Sequence, residues 1–270
     1  MPRVGSSEGL FRHKPATRKV IHLVYKLIHF IRPVLRVLGL KRVAFYLRRL
    51  DLPVGPDDLV LEVGSGDNPY PRANVLVDRS IESLKRCRDS GISRAFVVAD
   101  GSFLPFKTGS FNFVVAHHVL EHSDDPAGFL NELQRVATMG YIETPQAFRE
   151  YIIPVRSHRL RIRADGEQLV ITKKSSGSPD PQTMEEFRPL VASGEFRKFH
   201  DAHPEVFFLC FQWRNKISYL ITNPETAYPR ELTDPMCSGP PYVNHPQAIA
   251  AIKSSPSHTY GTPAHVMNRD

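Results

Sequence analysis

Two imidazoles and a carboxylate within five residues set the chemistry this chain can attempt. His118, Glu121 and His122 lie in the run His117-His118-Val-Leu-Glu121-His122. On a helical turn, residues three and four apart share one side. Placed so, the three side chains can hold a divalent metal such as Mg2+ or Mn2+. An imidazole there can instead act as a general base, taking a proton from a reacting hydroxyl. A third reading makes the run structural, a loop fixed in shape.

Such groups need a scaffold, and the preceding residues describe one. Leu59-Val-Leu-Glu-Val-Gly-Ser-Gly66 is an apolar strand emptying into a Gly-x-Gly turn. Glycine has no Cβ, so a cofactor can lie against bare backbone there. Val75–Asp78, Phe96–Asp100 and Phe113–His117 read as three more strands, two of them ending in an acid. This order predicts an α/β fold. After Gly66 comes Asp67-Asn-Pro-Tyr-Pro-Arg72, where two prolines leave no room for a regular helix. Only about a dozen residues separate Gly64 from Asp78, where a dinucleotide fingerprint needs about 20. The short spacing and the missing third glycine argue against a nicotinamide cofactor.

Taken together, LEVGSG, the acids Asp78 and Asp100, LPFKTGSFNFVVAHHVLEH and the helix Asp125–Val136 resemble the class I S-adenosylmethionine (SAM)-dependent methyltransferases, within them the type 11 group. The resemblance spans Leu59 to Pro145. It implies a Rossmann-like seven-stranded sheet with helices on both faces, here with a shortened first crossover. It also implies SAM as cofactor, with Glu62, Gly64, Ser65 and Gly66 at the methionine part. Asp78 with Arg79 would take the ribose, Asp100 with Gly101 the adenine, and His117 and its neighbours would line the transfer site. Related ubiquinone-ring and small-RNA O-methyltransferases place a metal-binding Glu-x-x-Glu-His at this point; here His118 replaces the first Glu. In type 11 members without a metal, the Leu-Glu-His triplet fixes the loop. Asn68-Pro-Tyr-Pro-Arg72 and Tyr141-Ile-Glu-Thr-Pro145 resemble members that modify bacterial polysaccharides, which implies O-methylation of a sugar or glycan hydroxyl. Alternatives are a lipid or quinone-like acceptor at a membrane, and a SAM-binding module without catalysis.

The acceptor is expected beyond Pro145, where Tyr151, Arg156 and His158 offer aromatic and charged groups. Asp124 or Asp125 before Pro126 should start a helix burying Phe129, Leu130, Leu133 and Val136. Met139–Glu143 should be the fifth strand, and Val206–Trp213 the last strand of the sheet. Leu160–Lys174 reads as a hairpin turning at Asp165-Gly166. Three segments follow: a basic helical arm or lid over 1–50, the catalytic domain over 51–221, and a Pro-rich extended tail over 222–270.

The net charge of +7 is unevenly spread, because eleven Lys and Arg and no acid lie between Gly9 and Leu50. His22, Lys26, His29, Arg32 and Arg36 recur at helical spacing. Leu23, Leu27, Ile31, Val34, Leu35 and Leu38 take the other side, with Pro33 expected to bend or divide the helix. The arm can lid the cofactor pocket, or residues 17–50 can lie on an anionic membrane. Nucleic acid is the disfavoured partner, since apolar residues separate the charges. Three cysteines without paired spacing, Cys87, Cys210 and Cys237, suit reduced thiols. With no run of 18 apolar residues and no leader cleavage pattern, the expected location is cytoplasmic, peripheral at the inner face of the membrane if the arm binds it.

Overall fold

The computed structural model describes residues 15–66, 68–92, 94–174, 181–223 and 242–243. Helix α1 (Pro15–Val37) leads to α2 (Lys41–Tyr46) and a 3-10 turn over Leu47–Leu50. Between them Gly39 takes φ +77°, a left-handed value that ends the first helix without a Cβ clash. Pro33 sits inside α1 without dividing it.

The apolar runs form strands because Val, Leu and Phe in sequence suit a strand buried on both faces. β1 (Val60–Val63), β2 (Val75–Asp78), β3 (Ala95–Val98) and β4 (Phe113–His117) pair in parallel in the spatial order β3-β2-β1-β4. No helix intervenes between β1 and β2 among the described residues, as the two prolines require. Instead Tyr70 is buried there, and Arg94 holds the loop by donating to the Tyr70 and Pro71 carbonyls. Helix α3 (Ile81–Asp89) follows β2, and α4 (Pro126–Val136) follows β4, capped by Asp125 accepting from the Gly128 amide. β5 (Met139–Pro145) adds in parallel beside β4.

Beyond β5 the chain makes α5 (Ala147–Ile152) and the hairpin β6 (Leu160–Asp165) and β7 (Gln168–Lys173). Asp165 pairs with Gln168, so the turn residues are Gly166-Glu167, one place later than expected. Gly166, at φ +58°, takes the first turn position and draws Asp165 into the ladder. Helices α6 (Pro181–Ala192), α7 (Glu195–Ala202) and α8 (Pro204–Phe207) come next, so the start of the expected Val206 strand is helical. β8 (Phe208–Arg214) then lies antiparallel on β5. β9 (Ser218–Ile221) pairs in parallel with β7, making a second sheet of three strands.

Of the Pro-rich tail, only Thr222, Asn223 and β10 (Tyr242–Val243) lie within the described residues. This strand pairs antiparallel with β3 and becomes the seventh strand of the main sheet. An open edge at β3 presents backbone groups that a passing segment can satisfy.

Alternate residues of each strand feed two cores. Leu61, Val63, Val75, Val77, Val114 and Ala116 pack with Phe129, Leu130 and Leu133 of α4 and with the hairpin. Val60, Leu76, Phe96, Phe113 and Val115 pack on the other face with Tyr70, Cys87 and Leu52. This division places the carboxyl ends of β1, β2, β3 and β4 at one rim, where the strand order reverses between β1 and β4. In open α/β sheets, ligands bind at that point.

Candidate active site

A cavity of about 410 Å³ opens at this rim. Its walls include Gly64, Gly66, Asp78, Arg79, Asp100 and Gly101, six of the nine residues expected to hold the cofactor. Gly64 and Gly66 both have positive φ, +73° and +52°. A Cβ on Gly64 would come within 2.5 Å of the Val119 side chain, so the turn and the His run can only meet through a glycine. Gly66 has nothing within 4 Å of its Cβ position and leaves bare backbone on the cavity wall.

Asp78 is oriented by the backbone. Its Oδ2 accepts the Gly66 amide at 2.9 Å and its Oδ1 the Ser80 amide at 2.9 Å. Asp100 accepts the Ser102 amide at 2.7 Å, and Arg79 Nε stands 3.5 Å from its other oxygen. Each carboxylate keeps lone pairs for hydroxyl or amino groups of a ligand. Phe103, 62% exposed, offers a flat apolar ring beside Asp100.

Glu62, Ser65 and His117 fall behind this wall. Glu62 is 1% exposed; it accepts the Tyr70 amide at 2.6 Å and lies 3.4 Å from His117 Nδ1. Its parity in β1 turns it toward the Tyr70 core, so it braces the shortened crossover. Ser65 Oγ and His117 Nε2 are buried without a hydrogen-bond partner, which leaves polar capacity next to the glycine turn. An adenosyl ligand with a polar amino-acid end fits this set of groups. Ser83, Arg86, Phe103 and Phe129 also line the cavity, and sequence reasoning missed them. The three-residue spacing of Ser83 and Arg86 on a helix following β2 is the signal that could have found two of them.

The His run does not form a regular helical turn. His118 has φ +51°, and only Leu120–His122 are helical, as a 3-10 turn. A side chain in the left-handed region is held there by its surroundings. His118 Nδ1 lies 3.3 Å from Glu121, and its Nε2 lies 3.3 Å from Glu143 of β5. Burial works against its charge, but the hydrogen bonds to Glu121 and Glu143 prevail and lift its pKa to about 9. Both ring nitrogens of His118 thus face carboxylates, and the raised pKa favours its protonated form at neutral pH. Of the expected set His118, Glu121 and His122, the described residues bring the last two together with a different third member.

Glu121, His122 and His158 converge instead, with one ligand atom of each within 4.8 Å of the other two. His158 arrives from the hairpin base, which is anchored by the Arg159 amide donating to the Glu121 carbonyl at 2.7 Å. His122 Nδ1 lies 2.9 Å from the Ser157 carbonyl. A carbonyl only accepts, so this nitrogen carries the proton and Nε2 keeps a lone pair. Burial lowers the His122 pKa, which favours that neutral form. His158 Nδ1 lies 2.6 Å from Glu150. Burial would raise the Glu150 pKa, but His158 and Lys174 hold it at about 2, so the carboxylate is ionised and accepts. His158 is therefore a buried member of this cluster. Glu121 Oε2 is buried with no hydrogen-bond partner. Tyr151 and Arg156 are exposed and outside the cavity wall, and Arg161 stacks on the Tyr151 ring with its guanidinium 4.3 Å away.

Behind His118, Glu143 is 2% exposed and pairs with Arg48 from the N-terminal segment and with the Tyr141 hydroxyl. Burial pushes its pKa up, yet His118 and Arg48 hold it well below the usual carboxylate range.

Residues 61–141, which run from β1 into β5, match the family model described as a methyltransferase domain. No curated protein matches the chain. Among solved structures, a SAM-dependent methyltransferase from Thermotoga maritima is 22% identical, over 48% of this chain and 58% of that one, with a TM-score of 0.32. A protein from Pyrococcus horikoshii is 18% identical, over 39% of this chain and 61% of that one, at 0.33. An S-adenosylmethionine-dependent methyltransferase from Mesorhizobium loti is 17% identical, over 64% of this chain and 97% of that one, at 0.39. The chain spans about six-tenths of the length of the first solved structures it matches.

Proposed function

We propose that this chain transfers a methyl group from SAM to a hydroxyl of a sugar or glycan acceptor. One observation carries the hydroxyl reading: His122 stands on the cavity wall with Nδ1–H tied to the Ser157 carbonyl and Nε2 available to accept. When bound, SAM supplies a methyl group on a sulfonium, already electrophilic. The chain supplies position and a proton acceptor. Asp78 and Asp100 would hold the ribose and adenine, and the glycine turn would let the ligand lie on backbone. His122 would take the acceptor's proton at Nε2 as the oxygen gains the methyl, and orienting the two reactants supplies much of the remaining rate. The polysaccharide assignment rests on the loop Asn68–Arg72 and the Tyr141–Pro145 strand end.

Labelled SAM offered with soluble glycans, lipid-linked sugars and quinols tests the reading. Label in a glycan ether supports it. Label only in lipid or quinol moves the acceptor class, and binding of S-adenosylhomocysteine without any transfer leaves a non-catalytic module.

A second reading has its own observation, the convergence of Glu121, His122 and His158. Each imidazole has its Nδ1 engaged by a carbonyl or a carboxylate, the outer-shell arrangement that orients metal-bound histidines. The donor set fits a divalent cation, which would orient acceptor hydroxyls and lower their pKa. Chelation with EDTA should then abolish turnover and Mg2+ or Mn2+ restore it; full activity in chelator leaves His122 as the base alone.

A further inference from the structure

Helix α1 docks on the domain by a narrow seam. Ile28 is buried, Tyr25, Arg32 and Leu35 are half-buried, and Arg32 bonds Asp51 and the Ala44 carbonyl. The other residues from Leu23 to Val37 are exposed. Leu23, Leu27, Phe30, Val34, Val37 and Leu38 lie on one face and are between 55% and 86% exposed. At 100° per residue they span an arc of roughly 100°, as wide as the stripe by which an ordinary amphipathic helix meets its core. Here that stripe is turned away from the core. Val43 and Tyr46 of α2 are exposed as well. A patch of this kind marks an interaction site.

We propose that this face is an interfacial anchor that lies in the surface of an anionic lipid bilayer. Lys26 is exposed at one border of the apolar face, Arg36 is exposed further round the helix, and Lys41 and Arg42 are exposed just beyond its end. Apolar side chains bordered by cations are what a helix needs to sink into the headgroup boundary while attracting acidic lipids. Charge selects this occupant over a second copy of the chain. The segment from Gly9 to Leu50 carries eleven cations and no acid, so two such arms brought face to face would oppose like charges. Among the described residues no helix is long and apolar enough to cross a membrane, which fits a helix lying in the plane.

The full chain should co-sediment with vesicles of phosphatidylcholine mixed with phosphatidylglycerol. Binding should be at least roughly tenfold weaker on phosphatidylcholine alone, and raised salt should weaken it. Leu27→Glu with Val34→Glu, both outward-facing, should lose binding by at least roughly tenfold and keep S-adenosylhomocysteine binding as the sign of an intact fold. If that double variant unfolds, Lys26→Glu with Arg36→Glu provides the same test through charge. Equal vesicle binding by variant and parent overturns the proposal, as does no binding to either lipid. Self-association without lipid, abolished in the double variant, also overturns it and assigns the face to a second copy.

Discussion

Substitutions of His122 and Asp78 should separate the proposed chemistry from cofactor binding. His122→Gln keeps a polar group but has no basic nitrogen; turnover should fall by about 10²–10⁴-fold with S-adenosylhomocysteine affinity near that of the parent. A parallel loss of affinity would mean that the residue shapes the cavity instead. Asp78→Ala should do the reverse, because the Gly66 and Ser80 amides lose their acceptor along with the ligand. Calorimetric titration should show roughly 10–100-fold weaker S-adenosylhomocysteine binding, the worth of a charged hydrogen bond. Gly64→Ala must bear about 1–2 kcal/mol for the left-handed backbone and must also displace Val119. A lower melting temperature together with lost affinity is expected. The importance of Gly64 is legible in the sequence; its reason, contact with Val119 fifty-five residues later, is not.

Strands β1 to β5 were legible because their residues are mostly apolar, and β2 and β4 have the expected boundaries. The His run was not, because the left-handed His118 depends on Glu143, which only the pairing of β4 with β5 brings near. That contact makes stability depend on pH in both directions. Folding raises the His118 pKa from 6.5 to about 9. Its contribution is therefore complete below about 6.5 and is lost as pH rises through 9. Folding lowers the Glu143 pKa from 4.5. Its contribution is present above 4.5 and is lost as pH falls toward the folded value. The melting temperature should be highest between these two limbs, and His118→Gln should flatten the alkaline one and weaken the acid one, since His118 also helps hold Glu143 ionised. An unchanged alkaline limb in that variant would show that His118 is not the titrating group.

The N-terminal segment is tied into the main sheet through Arg48. Arg48 reaches Glu143 across 95 positions of sequence and stacks on Phe45, its guanidinium carbon 3.4 Å from the ring centroid. Removing one member of a buried ion pair costs about 3–5 kcal/mol, because the other is left charged and unpaired. Arg48→Met should therefore lower the melting temperature by roughly 10 °C in a chain of this size. Deleting residues 1–50 should destabilise the domain more than deleting residues 1–37, which spares Arg48. Equal melting temperatures for the two deletions would show that the pair contributes nothing. A truncation meant to probe membrane contact must stop short of this residue.

Sequence alone determined what is local. Apolar runs specify strands, Gly64 and Gly66 a turn open to a ligand, Pro69 and Pro71 the loss of a helix, and Asp125-Pro126 the start of another. Each follows from backbone sterics and hydrogen bonding within a few residues. Tertiary structure decided what depends on the chain's return from a distance. It brought His158 to Glu121 and His122 in place of His118, and it committed Glu62 to the crossover loop. It also turned the apolar face of α1 to the outside. No local pattern encodes these outcomes, since periodicity shows that a helix has an apolar face but not which side meets the core.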